Sequence, residues 1–183
     1  MKAIKKLTEL YKLPILVSLT VFITLMALLV PRNPFTIAQM VLACLLAVFV
    51  LDLDYFIYAF FTDIDTDFAI TLKGYLRHKD YTGAISYIYY HKDEIKEKTL
   101  QSVLFQVVLG LLTFFMVFSP INIFMKTLVI ATFANSFYRL AEAYQTEKTD
   151  DWFWMLKEKP SKKGVKVYMG ISLLIFFVIL QFF

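Results

Sequence analysis

The sequence predicts an all-α fold, a polytopic membrane protein built as a five-span helical bundle with amphipathic interfacial helices. Of its 183 residues, 59% are hydrophobic and the mean hydropathy is +0.63, whereas soluble domains are about 45–50% apolar. The apolar residues form long uncharged runs of the length that crosses a bilayer. Because the chain is too short for a second sizeable domain, residues 1–183 are expected to form a single membrane domain.

The N-terminal part begins with a basic leader, residues 1–12, which is predicted to form a short amphipathic helix on the membrane surface. The first predicted span, residues 13–30, is an uncharged run of 18 residues, about the minimum for crossing the hydrocarbon core. No convincing small-residue cleavage site precedes Pro31, so we expect an uncleaved span rather than a signal peptide.

A turn at Pro31–Pro34 precedes the second predicted span, residues 35–58. Both prolines oppose continuation of the helix, and Asn33 or Thr36 is expected to cap the next one. The apolar run continues to Phe61 and therefore exceeds what a bilayer requires. Its excess length places the last turns of this helix at the far interface.

The largest polar segment, residues 62–98, follows and is predicted to lie in the cytoplasm. Apolar residues at helical spacing indicate one amphipathic helix over 67–79 and a second beginning at Ala84, with a break at 81–83. Its mixed charges make this segment a candidate binding surface for a protein partner.

Three further spans complete the predicted bundle, at residues 99–118, 121–138 and 165–183. The intervening segment 139–164 is polar, and its Trp152 and Trp154 are suited to a membrane interface. The single cysteine, Cys44, lies in an apolar run, so no intrachain disulfide is possible.

The positions of Lys and Arg predict the orientation of these spans. Of the 19 basic residues, 17 lie in the N-terminal leader, in 62–99 and in 139–166, and only Arg32 and Lys126 lie elsewhere. The positive-inside rule then predicts a cytoplasmic N-terminus and an external C-terminus. Since topology accounts for the basic residues, we expect the lipid bilayer as a partner and no binding to nucleic acid.

Two carboxylates, Asp52 and Asp54, interrupt the second apolar run. Ionisable groups at membrane depth are costly and usually mark a site or a buried pairing. At about 1.5 Å per residue, the hydrocarbon core is crossed by roughly residue 54, so both lie near the cytoplasmic interface. On a continuous helix they point about 200° apart, so we expect only one to face the bundle and meet a polar residue there. Alternatively, both cap the end of the span.

A polar stripe in the fourth predicted span supplies partners for these carboxylates. Asn135, Arg139 and Glu142 are spaced i, i+4 and i+7 and therefore share one helix face. Arg139 and Glu142 are expected to pair with each other or with one of the two aspartates. Together with Gln101 they form a predicted polar cluster, whose alternative role is to register helices.

Three alternating aspartates, Asp63, Asp65 and Asp67, offer the oxygen ligands that Ca²⁺ and Mg²⁺ prefer. An EF-hand is excluded, because Phe68 and Gly74 occupy the positions that require Gly and Glu. The alternative is that these aspartates favour the positive dipole end of the following helix.

The order of the predicted spans and of the polar motifs between them resembles the bacterial membrane-bound metal-dependent hydrolase family of the LexA-regulated inner-membrane type. The resemblance covers residues 35–145 and rests on three stretches: Leu51-Asp-Leu-Asp-Tyr55; His91-Lys92 with Thr99-Leu-Gln-Ser102; and Asn135-Ser136 with Arg139 and Glu142. It implies an inner-membrane location.

The same resemblance implies a divalent metal held by Asp52, Asp54 and His91, which would activate water. The chain departs from the family pattern where Tyr55 and Gln101 stand in place of histidines. We therefore expect a small membrane protein without enzymatic activity, a scaffold or accessory subunit. The alternative is a metal-dependent hydrolase acting on a lipid or other membrane-embedded substrate through Asp52 and Asp54.

Overall fold

The structure is a computed structural model that describes residues 2–92 and 94–182, with side chains described from residue 11 onward. All regular structure in these ranges is helical. The helices are α1 (Lys2–Leu29), α2 (Pro34–Val50), α3 (Leu53–Ile57), α4 (Asp67–Arg77), α5 (Tyr81–His91), α6 (Val103–Phe118), α7 (Ile123–Gln145), α8 (Thr149–Trp152) and α9 (Lys162–Leu180).

Helix α7 is the centre of the bundle and packs against α1, α2, α6 and α9. Small residues along it, including Ala131, Ala134 and Ser136, are buried and let neighbouring backbones approach closely. On the α6 side, Gly110 faces the ring of Phe133, and a Cβ at this glycine would lie 3.2 Å from that ring. The main core therefore lies along α7, filled by Leu25, Met40, Leu109, Ile130, Phe133, Phe137 and Phe176 among others.

Side-chain contacts show that the long helices alternate in direction. At one end the ring of Tyr11 in α1 meets that of Phe49 at the end of α2, with centroids 5.0 Å apart. At the other end Phe118, the last residue of α6, contacts Phe182 just beyond α9 at 5.8 Å. The start of α1, the end of α2, the start of α6, the end of α7 and the start of α9 consequently share one end of the bundle.

The prediction that residues 1–12 form a separate interfacial helix is wrong, because they do not form an element of their own. Helix α1 runs without interruption from Lys2 to Leu29 and contains Pro14. The leader and the first apolar run are thus one helix, which continues through Pro14 although proline opposes helix continuation.

The second apolar run is a broken helix. Asn33 accepts a hydrogen bond from the backbone N–H of Phe35 and caps α2, as predicted. Helix α2 then ends at Val50, and the chain resumes as α3 followed by a π-helical turn, Tyr58–Thr62. The two parts are bent by 47° at the break.

Two helices of the described chain are long and apolar enough to cross a membrane, Tyr11–Leu29 and Lys162–Leu180. The bent pair Pro34–Val50 with Leu53–Thr62 becomes a third if it forms one span. Helix α6 is apolar but has only 16 residues, because it begins at Val103 after a cap at Ser102 rather than at residue 99. The structure is therefore an all-helical bundle with two or three candidate spans, and the five-span count is not confirmed.

The polar segment folds into a helical hairpin, α4 and α5, with a small core of its own formed by Tyr55, Ala59, Phe68, Ala69, Leu72, Ala84 and Ile95. The predicted break at residues 81–83 is wrong, since these residues form the first turn of α5 under an Asp80 cap. The turn lies at residues 78–80, where Lys79 adopts a left-handed conformation with φ of 56°.

Candidate functional site

Polar side chains gather at the end of the bundle where α2 and α7 finish and α6 begins. Arg139 on α7 donates through Nη2 to the Oδ1 of Asp52, with 2.7 Å between the two atoms. Both residues are buried, at 7% and 8% exposure. Arg139 thus pairs with an aspartate of the second apolar run, which is one of the pairings that the sequence leaves open.

Glu142 extends this pair towards the surface. One of its oxygens accepts from Nη1 of Arg139 and the other from Nζ of Lys92, both at 3.2 Å. Burial raises the pKa of Glu142, but the charges of Arg139 and Lys92 outweigh burial and hold the pKa below its usual value. Glu142 is therefore a carboxylate shared between two cations, beyond the apolar part of α7.

Asp54 makes contacts of a different kind. It accepts hydrogen bonds from the backbone N–H groups of Thr99 and Gln101, both at 2.8 Å, and is only 2% exposed. Gln101 in turn donates through Nε2 to the carbonyl of Leu51 at 3.1 Å. The hydrogen bonds of Asp54 and Gln101 together hold the loop before α6 against the break after α2.

The prediction that only one of the two aspartates faces the bundle is wrong. It assumed one continuous helix, on which the side chains of Asp52 and Asp54 diverge by about 200°. The break between Val50 and Leu53 changes the direction of the axis by 47°. Asp52 can therefore meet α7 while Asp54 meets the start of α6, and both are buried.

Further polar contacts lie deeper along α7. Asn135 donates to the hydroxyl oxygen of Ser18 in α1 at 2.8 Å. On the opposite side Gln106 donates to Ser136 at 3.1 Å and accepts from the hydroxyl of Tyr168 at 2.8 Å. These contacts link α7 to α1 and α6, and α6 to α9.

Sequence reasoning missed three of these partners, Ser18, Lys92 and Tyr168. Each lies in a part of the sequence remote from its partner, and serine and tyrosine are ordinary in apolar helices. Ser18 and Lys92 are marked only by their position opposite the stripe on α7, and Tyr168 only by its position opposite Gln106 on α6. The pairing of the helices decides these positions.

The predicted metal ligands separate in the structure. His91 contacts Tyr87, with Nδ1 3.0 Å from its carbonyl oxygen and the two rings stacked at 4.2 Å. In the described ranges, no group of three or more His, Cys, Asp or Glu residues is placed to hold a metal ion. The assignment of Asp52, Asp54 and His91 to a metal stays a prediction.

The aspartate trio lies where the chain enters α4. Asp67 is in the first turn of that helix, which Thr66 caps by accepting from the N–H of Ala69 at 3.3 Å. Asp63 accepts from the hydroxyl of Tyr58 at 3.3 Å, and Asp65 is exposed. The position of Asp67 agrees with the dipole interpretation of this trio.

A cavity of about 110 Å³ opens beside the polar cluster. Basic, acidic and neutral polar side chains line it together with the aromatic rings of Tyr55 and Trp152. The lining comprises Tyr55, Lys92, Lys98, Gln101, Arg139, Glu142, Ala143, Thr146, Lys148, Asp151 and Trp152. We call this space the basic cavity.

Comparison of the chain with protein-family models, with curated proteins and with solved structures found no match. The class of the protein therefore follows from its own fold. An all-helical bundle whose long helices turn apolar side chains outward, with two or three helices able to cross a bilayer, indicates a membrane location.

Proposed function

We propose that this chain is a multi-pass membrane protein without enzymatic activity, acting as a scaffold or accessory subunit. The proposed topology has five spans in a cytoplasmic (inner) membrane, with the N-terminus in the cytoplasm and the C-terminus outside. Supporting it, the long helices alternate in direction, and the ends that share the polar cluster carry most of the basic residues.

The contacts of the two buried aspartates carry this proposal. Asp52 neutralises Arg139, and Asp54 holds two backbone N–H groups. Catalytic carboxylates need access to a substrate or a metal, whereas these oxygens are engaged in joining α2 to α6 and α7. Polar contacts of this kind fix which helices pair and in which register.

The hairpin of α4 and α5 supplies the proposed surface for a protein partner. It has its own core and still exposes large apolar side chains, including Ile70 at 58% and Tyr81 at 62%. Apolar groups beside charged ones are typical of the surfaces through which proteins associate. In the proposed topology this hairpin lies on the cytoplasmic side, where soluble and membrane partners both reach it.

Site-specific photo-crosslinking in native membranes tests this role. A benzophenone side chain placed at Ile70 or Tyr81 is expected to yield the same discrete crosslinked product, identified by mass spectrometry. The same group at Leu174 on α9, which is also exposed, is the control and is expected not to give that product. Absence of a defined product from both hairpin positions would argue against the scaffold role.

The alternative function is metal-dependent hydrolysis of a lipid or membrane-embedded substrate through Asp52 and Asp54, and its specific support is the basic cavity next to the pair of Asp52 with Arg139. Metal analysis of the purified protein separates the two functions. A stoichiometric divalent metal that is lost in Asp52→Asn and Asp54→Asn, while Asp65→Asn retains it, would replace the scaffold proposal by the hydrolase.

A further inference from the structure

An apolar groove opens on the side of the bundle between α1 and α9, with α7 as its floor. Its lining comes from residues 17–28 of α1, 134–141 of α7 and 169–181 of α9, and its volume is about 540 Å³. We call it the lateral groove. None of the residues that line the basic cavity lines this groove, so the two are separate sites.

The middle of the lateral groove offers little to a polar ligand, even where threonines line it. The hydroxyl groups of Thr20 and Thr24 each donate to the carbonyl oxygen four residues earlier in α1, at 2.9 Å. A threonine hydroxyl has one hydrogen, so these two have none left to donate to a ligand. The groove therefore suits a hydrocarbon chain and not a polar solute.

The dimensions of the lateral groove limit what occupies it. At 1.5 Å per residue, its α1 wall is about 17 Å long, which is close to one leaflet of a hydrocarbon core about 30 Å thick. An α-helix about 10 Å across would need roughly 1,300 Å³ over that length, and the groove provides about 540 Å³. An extended acyl chain has no side chains and is thinner, so it fits where a helix of a second copy or of another protein does not.

One end of the lateral groove carries a positive charge. Lys166 lies one turn before Met169 on α9, and its ammonium nitrogen is 5.8 Å from the centroid of the Tyr144 ring, one turn beyond Ala141 on α7. Lys166 is exposed and forms no ion pair among the described residues. Long lysine side chains near helix ends carry their ammonium groups to the membrane interface. The charge of Lys166 is therefore available to an anion at this end of the groove.

We propose that the lateral groove holds one acyl chain of an anionic phospholipid, whose head group binds the ammonium group of Lys166. Basic residues next to a membrane-spanning helix attract the anionic lipids of the cytoplasmic leaflet. Lys162 and Lys163 are exposed beside Lys166, and because Lys162 pairs with Glu147, Lys163 adds to this attraction. The choice of leaflet rests on the topology under the proposed function, whereas the groove and its charged end do not.

Native mass spectrometry of the purified full-length chain in dodecyl maltoside tests the proposal. The two probes are dioleoyl phosphatidylglycerol and dioleoyl phosphatidylcholine, which have the same acyl chains and differ in net charge. One lipid is expected to bind tightly per chain, and the anionic lipid is expected to bind about fivefold more tightly, as one lysine near an anionic head group provides.

Matched variants test the two parts of the site. Lys166→Gln is expected to abolish the preference for the anionic lipid, whereas Lys157→Gln removes the same charge at an exposed position outside the groove and is expected to keep it. Thr20→Phe narrows the groove and is expected to weaken the binding of both lipids several-fold. Ile23→Phe adds a ring elsewhere on α1, at a position that is 58% exposed, and is expected to leave both affinities unchanged.

If Thr20→Phe fails to fold, Ala141→Leu narrows the same groove from α7 and takes its place. Equal affinity for the two lipids, or equal effects of the groove and control variants, would overturn the proposal. A dimer of the chain that Thr20→Phe dissociates would also overturn it, because a second copy would then occupy the groove. The measurement in detergent depends on neither the scaffold role nor the topology, so a negative result would leave both of those proposals standing.

Discussion

Arg139 holds its charge in a site that leaves only 7% of it exposed, and Asp52 opposes it at 2.7 Å. Desolvating two charges is expensive, and their attraction repays the cost only when both are present. The pair therefore adds little net stability compared with apolar residues, but its disruption is costly. It also selects one arrangement, since Arg139 can be satisfied only where α2 ends beside α7.

Asp52→Ala is expected to lower the free energy of unfolding by about 3–5 kcal/mol, because it leaves the guanidinium of Arg139 buried without its closest partner. Asp52→Leu with Arg139→Met is expected to recover most of this loss. Denaturant unfolding in detergent measures both. Glu147→Ala, which breaks an exposed pair with Lys162, is the control and is expected to unfold as the unmodified chain does. A double variant as unstable as Asp52→Ala would contradict this interpretation.

Glu142 makes the stability of this end depend on pH. Its pKa in the folded protein lies below its ordinary value of 4.5, so the unfolded chain takes up a proton at higher pH than the folded one. The stabilisation is complete above the ordinary value and is lost as pH falls through the folded-state pKa. We expect the melting temperature to decrease when the pH is lowered from 7 to below 4.5.

Glu142→Gln is the matched comparison, because glutamine fills the same space without titrating. Its melting temperature is expected to be lower at pH 7 and to change less on acidification. Identical pH profiles for the variant and the unmodified protein would show that Glu142 has no part in the effect.

At the scale of the element, the break after Val50 decides the geometry of the polar cluster. Hydropathy alone indicates an apolar helix that continues to Phe61. In the folded chain, Asp54 accepts two backbone N–H groups from the loop before α6, and Gln101 occupies the carbonyl of Leu51. The backbone N–H of Tyr55 bonds to the carbonyl of Asp52 instead of that of Leu51, which accepts from Gln101. The regular helix therefore ends where the loop before α6 arrives.

The hairpin of α4 and α5 offers a second element with a specific requirement. A Cβ at Gly83 would clash with the carboxylate of Asp80 and lie 2.7 Å from the ring of Tyr75, whereas a Cβ at Gly74 would meet nothing within 4 Å. The first contact is closer than atoms tolerate, and the second site is an ordinary helix position. The same substitution by alanine is therefore expected to have opposite effects at the two glycines of this hairpin.

Gly83→Ala is expected to destabilise the hairpin by about 1–3 kcal/mol through overpacking against the Asp80 carboxylate and the Tyr75 ring. Gly74→Ala is expected to stabilise it by about 0.5–1 kcal/mol, since alanine is the better helix former. Hydrogen exchange of the α4 and α5 amides measures both. Equal protection in the two variants would show that the approach of α5 to Tyr75 is not tight.

For the whole molecule, the long helices alternate in direction and the basic residues lie mostly at one end of the bundle. Membrane topology is therefore the property to test. Fusion of alkaline phosphatase after residue 182 is expected to be active outside the membrane, and fusion within 62–98 is expected to be inactive. Green fluorescent protein at the same positions should give the reverse pattern. A fluorescent C-terminal fusion would contradict the proposed five-span count.

The sequence by itself determined the features that depend on local or one-dimensional patterns. The all-helical class and the membrane location follow from hydrophobic composition and run length, and the Pro31–Pro34 turn indicates a cap at Asn33 or Thr36, of which Asn33 forms it. The stripe of Asn135, Arg139 and Glu142 follows from the period of a single helix. Each needs only residues within a few turns of one another.

Tertiary structure decided the features that depend on which helices pack together, namely the burial of the aspartates, the long-range side-chain pairs and the cavity. The sequence could name Arg139 and two aspartates, but the break after Val50 allowed both Asp52 and Asp54 to be buried. It could not bring Lys92 to Glu142 or Tyr168 to Gln106, nor assemble the basic cavity from three separate segments. The physical reason is that a buried polar group must find a partner, and the packing of α7 against its neighbours determines which partner is within reach.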